Sequence, residues 1–187
     1  MVPARCLVAM LGALVLTSLL VSGTPAGDES PAPALAIHSL DQLACLSWAE
    51  LECLYRQAEA GTIPCGYVRG KAVYCADEPL AGLKTKTSRL FWHGKHFCAA
   101  DCTLVNQWLG FKAVHARYYY APGWLDGKPS IILDYLGESR VVWADGRDEL
   151  REIAPGFYVG CMYQRRCPEP KLKVWFVLES ECAGCPR

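Results

Sequence analysis

The chain has 187 residues, 52% of them hydrophobic, which is enough for one domain with a sizeable apolar core and short for two. Nineteen Lys and Arg balance nineteen Asp and Glu, and a net charge of zero excludes the basic footprint expected of a protein that holds nucleic acid or an anionic membrane surface. The chain contains no G-x-S-x-G, no H-E-x-x-H, no P-loop and no G-x-G-x-x-G, so no familiar nucleophile, zinc-protease or nucleotide motif points to an enzyme.

Arg5, an apolar run from Leu7 to Val21 and the small residues Thr24-Pro25-Ala26 have the layout of a secretory signal over residues 1–26. The run falls short of the roughly 20 residues that a membrane-spanning helix needs. The expected mature protein therefore has no transmembrane span and is secreted, periplasmic or associated with the cell envelope. Residues 27–38, opening GDESPAPALA, read as a flexible linker. Eleven cysteines less Cys6 in the signal leave ten, an even number suited to disulfides in an oxidising compartment. Pairing does not follow from sequence; one scheme couples Cys45 and Cys53 to Cys65 or Cys75 and leaves the remaining six to staple strand ends.

Residues 39–61 are expected to be a helical segment. Ser39 and Gln42, and again Ser47 and Glu50, have the spacing of a capping box, so two short helices with a break near Ser47 fit best, packed across one end of the domain. Residues 62–187 are expected to be an antiparallel β domain. Residues 66–74 and 89–98 interleave apolar and charged residues at period two. In a regular strand Trp92 and His96 share one face and His93, Lys95 and Phe97 the other; His93 and His96 then point apart, and no metal site is expected. Residues 102–109 read as a turn of helix.

A meander of three strands follows, at 112–120, 130–136 and 140–143, divided by Pro-Gly and Asp-Gly punctuation. Within it His115, Arg117 and Tyr119 share a face, and Asp134 lies on an otherwise apolar stretch where it calls for a partner such as Arg117 or Arg140. These four, His115, Arg117, Tyr119 and Asp134, are the candidate ligand-binding residues. Residues 147–152, Arg-Asp-Glu-Leu-Arg-Glu, read as a solvated turn or exposed edge. Strands at 156–164 and 171–179 close the chain, bringing the count to about seven and the fold class to mainly β, a lipocalin-like or calycin-like barrel or a curved meander. The C-terminal Cys182-Ala183-Gly184-Cys185 reads as the end of a structural disulfide.

Trp92-His93-Gly94-Lys95-His96-Phe97, preceded by Gly66-Tyr67-Val68-Arg69-Gly70-Lys71, resembles the GXWXG protein family with the uncharacterised domain that commonly follows it. Trp124-Leu125-Asp126-Gly127, Ile132-Leu133-Asp134-Tyr135 and Pro155-Gly156-Phe157-Tyr158-Val159-Gly160 are similar to its second half, so the likeness runs from about residue 61 to 179. The resemblance implies a lipocalin-like antiparallel barrel and no activity. Three functions stay open: a barrel that binds a small apolar, amphipathic or anionic ligand without catalysis or cofactor; a structural or interaction protein of the envelope; and a hydrolase or isomerase using Asp134, Asp148 or Glu149. Oligomeric state is not legible.

Overall fold

The computed structural model describes residues 39–74, 83, 87, 90–138 and 144–181. Eight antiparallel strands close into a barrel in chain order: β1 Gly66–Val73, β2 Trp92–Cys98, β3 Thr103–Trp108, β4 Phe111–Pro122, β5 Pro129–Asp134, β6 Gly146–Ala154, β7 Phe157–Gln164 and β8 Lys171–Ser180. Pairing of β1 with β8 completes the ring, through Val68 opposite Ser180 to Val73 opposite Trp175. Closure leaves no edge strand, the arrangement that best protects a meander from pairing with other chains.

Period-two alternation divides each strand between lumen and exterior. Val68, Phe97, Leu104, Ala116, Tyr118, Ile131, Leu133, Leu150, Tyr158 and Phe176 belong to one buried cluster that fills part of the lumen. The alternate residues of β7 and β8, Val159, Cys161, Tyr163, Trp175 and Val177, belong to a second cluster outside the wall. Those strands are apolar on both faces, so something must cover them. The cover is α1 Leu40–Leu43 and α2 Trp48–Gln57, which contribute Leu40, Leu43, Leu51 and Tyr55. The helical segment thus lies on the flank of the barrel rather than across its end, because the unpaired apolar surface is on the flank. Both helix starts are capped as their residues suggest: Ser39 accepts from the Gln42 amide at 3.2 Å, and Ser47 and Glu50 form a reciprocal capping box. The Trp48 indole donates to the Val73 carbonyl at 2.9 Å and ties α2 to β1.

The structure corrects two assignments in the barrel. Residues 103–108 are a strand, not a helical turn: Leu104 and Asn106 are buried at alternate positions, and the ladder to β2 and β4 uses their backbone. Residues 147–152 lie within β6, and Arg147, Asp148, Glu149 and Arg151 are buried rather than solvated. Each charge has a partner nearby, which is what allows a charged sequence to run through a core. The strand expected at 140–143 and the Cys182 to Cys185 motif lie outside the described residues.

Cysteine chemistry is corrected too. Cys65 is disulfide-bonded, but Cys45, Cys53, Cys98, Cys102, Cys161 and Cys167 are free. Cys161 is fully buried between β7 and the helices and packs as a small apolar group. Among the described residues no helix is long and apolar enough to cross a membrane.

A bulge in β2 sets the contents of the lumen. Trp92 pairs with Trp108 but Gly94 pairs with Gln107, so one extra residue is accommodated on β2 and the alternation changes phase. Trp92 and Lys95, which a regular strand would send to opposite faces, both face inward. Gly94 has φ +143°, and a Cβ there would sit 2.0 Å from the Val68 carbonyl oxygen. Gly94→Ala is therefore expected to cost about 3 kcal/mol, from strain and displaced backbone together, and a denaturant midpoint within error of wild type would refute this role for the bulge.

Candidate functional site

Three polar side chains point into the lumen and are almost wholly removed from water: Lys95 at 2% exposure, Asn106 at 5% and Asp148 at 2%. They come from β2, β3 and β6, and the buried Tyr135, immediately after β5, joins them. The Lys95 ammonium spends its three protons on Tyr135 Oη at 2.8 Å, Asn106 Oδ1 at 2.9 Å and Asp148 Oδ2 at 2.9 Å. Tyr135 donates to the same Asp148 oxygen at 2.7 Å. Burial and that neighbouring carboxylate push the Tyr135 phenol well above its ordinary pKa, so it stays a donor. Asn106 accepts from the Trp92 indole at 3.0 Å and donates to the Val114 carbonyl at 3.0 Å. The ammonium also lies 5.1 to 5.5 Å from the ring centres of Phe176, Trp92 and Tyr135, near enough for cation–π attraction.

Above this network the lumen is not filled. A cavity of about 120 Å³ is bounded by Trp92, Lys95, Asn106, Tyr135 and Asp148, and its apolar wall includes Ala72, Met162 and Phe176. The partly buried Tyr74, Trp108, Val114 and Val174 complete its lining. Two small backbone features shape the surrounding wall. Gly160 faces inward, where a Cβ would come within 2.3 Å of the Phe176 ring. Val114 sits at a bulge in β4 with φ +66°, a strained conformation for a β-branched residue that offers its carbonyl to Asn106. Two buried polar atoms on residues that line the cavity have no partner, Asp148 Oδ1 and Trp108 Nε1. Buried polar groups are rarely left so.

A second polar cluster occupies the outer face of β6, beneath α2 and the 123–128 loop. Arg151, fully buried, makes two bonds to Asp126, at 2.6 and 2.8 Å, and one to the Tyr55 carbonyl at 3.0 Å. Glu149 accepts from the Trp124 amide at 2.6 Å and the Tyr55 hydroxyl at 3.3 Å, and burial raises its pKa. These bonds fasten loop and helix to the wall. Asp148 and Glu149 face opposite sides of the sheet, which prevents them from acting as an acid and base on one substrate. Among the described residues no group of His, Cys, Asp and Glu is assembled for a metal ion.

The residues singled out in the sequence lie elsewhere. His115, Arg117 and Tyr119 are on the outer face of β4, alternating with the inward Ala116 and Tyr118. Arg117 and Asp134 are register partners, yet Arg117 pairs with Glu138 at 2.5 Å while Asp134 pairs with Arg165 at 2.8 Å and accepts from Tyr119 at 3.0 Å. His115 takes no part in that set, and none of the four lines the cavity. The lumen residues Lys95, Asn106 and Tyr135 were missed, and Asp148 was singled out only as a carboxylate for a hydrolase or isomerase. The signal that could have found Lys95 is Gly94, since a lone glycine inside a strand pattern marks a bulge.

No model of a known protein family matches the chain, and no curated protein matches it. Among solved structures, a protein from Thermomonospora curvata matches with a TM-score of 0.49 and 18% identity, over 73% of this chain and 89% of that one. The resemblance to the GXWXG family thus rests on the quoted residues alone.

The buried pair and the outer clamp each make a measurable claim. Lys95→Met leaves the Asp148 carboxylate buried without its counter-charge and is expected to cost about 3 to 5 kcal/mol, whereas adding Asp148→Leu should restore much of the loss; additive losses in urea unfolding would contradict the pairing. For the clamp, the hydrogen bond from Arg151 holds the Asp126 pKa below its ordinary 3.8. The stability this contributes is present above that value and is lost as pH falls through the lowered one. Asp126→Asn should therefore be destabilised at neutral pH, and its gap to wild type should narrow below pH 3.8. A gap constant with pH would remove Asp126 from the clamp.

Proposed function

We propose that the protein is a secreted, non-catalytic barrel that takes a small apolar or amphipathic molecule into its lumen. The single observation that carries this reading is the unfilled, mostly apolar cavity with two unpartnered polar atoms at its wall. Small-molecule sites commonly combine an apolar lining with a few fixed polar groups. The size suits one ring or a short chain, since an engineered apolar cavity of about 150 Å³ accepts benzene. Secretion is supported by the signal-like residues 1–26 and by the bonded Cys65. Catalysis draws no support from the cavity, because the protons of its lysine and phenol are all placed in bonds within the network.

One observation favours the envelope reading as a second possibility: the rest of the lumen is packed with Phe97, Tyr118, Tyr158 and their neighbours, so the barrel is hollow over only part of its length. The two are separated by filling the remaining space. Val174→Phe, at the partly buried rim, should leave the fold intact at a cost of about 1 to 3 kcal/mol. It should also abolish any small molecule that native mass spectrometry finds on wild-type protein. A folded variant that keeps the molecule would move binding out of the lumen, and wild-type protein that neither co-purifies with nor takes up a ring-sized compound would favour the envelope reading.

A further inference from the structure

We propose, building on the lumen-binding reading above, that the cavity selects a neutral ligand carrying both a hydrogen-bond donor and an acceptor, such as a phenol, an alcohol or a primary amide, and rejects carboxylates. The argument is one of counting. A buried lysine in a barrel invites the expectation of an acidic ligand, but all three Lys95 protons are already placed, on Tyr135, Asn106 and Asp148. The Asn106 amide is equally committed, to Trp92, Val114, Lys95 and Tyr135. The Tyr135 proton goes to Asp148. Among the buried side-chain atoms of the lining residues, those left without a partner are one acceptor, Asp148 Oδ1, and one donor, Trp108 Nε1.

Charge points the same way. Lys95 and Asp148 cancel, so the site has no net charge with which to hold an ion, and Asp148 is 2% exposed. A carboxylate entering would meet the bare Asp148 oxygen with an acceptor of its own, and could use only the indole N–H. An ammonium would gain Asp148 Oδ1 but lie close to the Lys95 ammonium, whose like charge repels it. A hydrocarbon would fill the space and leave both polar atoms unsatisfied, which costs affinity relative to a group that meets them. A hydroxyl or a primary amide supplies both missing partners without charge.

Two matched pairs of probes test this by calorimetry on the purified protein: phenol against toluene, and benzamide against benzoate. Phenol is expected to bind about 10-fold more tightly than toluene, the value of one net hydrogen bond, and benzamide at least about 100-fold more tightly than benzoate, as expected when a bond is lost and like charges are brought together. Trp108→Phe removes the indole donor while keeping a ring at the wall. It should lower phenol and benzamide affinity several-fold and leave toluene unchanged. Toluene binding as well as phenol, benzoate binding as well as benzamide, or a Trp108→Phe variant that weakens all probes alike would each overturn the selection while leaving lumen binding in place. If none of the four binds wild type, both the selection and lumen binding fail.

Discussion

The ion pair between Lys95 and Asp148 is the constraint on which the interior of this barrel turns. In a closed ring of eight strands, β2 and β6 stand on opposite walls, so a 2.9 Å contact between their side chains spans the lumen. Two charges at 3% side-chain exposure are tolerated only when hydrogen bonds complete their shells. Asn106 from β3 and Tyr135 after β5 complete the shell of Lys95, Tyr135 also donates to Asp148, and four segments are thereby locked in one register. The lock requires the extra residue at Gly94, since without the change of phase in β2 the lysine would point outward. A single glycine with positive φ thus connects backbone geometry to the chemistry of the cavity.

The same strand explains the outer layer. β6 carries Asp148 and Leu150 inward and Arg147, Glu149 and Arg151 outward, and the outward charges are buried because α2 and the 123–128 loop are laid over them. Arg147 stacks 4.2 Å from the Trp124 ring and Arg151 4.2 Å from the Tyr55 ring. Planar guanidinium groups suit such places better than an ammonium, because they stack and hydrogen-bond at once. The helical segment is therefore attached by an apolar contact over β7 and β8 and by a polar one over β6, which fixes it more fully than an apolar stripe alone.

Much of the barrel was legible and the site was not. The alternation of Leu172, Val174, Phe176 and Leu178 with Trp175 and Val177 marks β8 plainly, and Ser39 and Ser47 mark both helix starts, because these signals are local. The sequence also separates His115, Arg117 and Tyr119 from Ala116 and Tyr118, but not which set faces inward, since both include tyrosine. Burial of the 147–152 charges was hidden because their partners, Lys95, Tyr55 and Asp126, lie far away in the chain. Residues 103–108 were obscured by Asn106 and Gln107, which are poor strand formers on their own and are held there by neighbours on both sides.

Stability alone does not account for the polar lumen. A buried ion pair is often no better than apolar residues of the same shape, and replacing it can stabilise a protein; the remainder of this lumen shows that Leu104, Leu133 and Leu178 fill such space readily. A purely structural pair would also be expected to use both oxygens of its carboxylate. Here Tyr135 and Lys95 crowd onto Asp148 Oδ2, while the buried Oδ1 has no partner. Near it, Val114 holds a strained backbone conformation that presents its carbonyl to Asn106. Strain and an unsatisfied acceptor in one place lower stability without improving packing, a combination found where a fold is shaped for something other than its own stability. On the lumen-binding proposal, the network is a scaffold that keeps Lys95 occupied and leaves Asp148 one free acceptor.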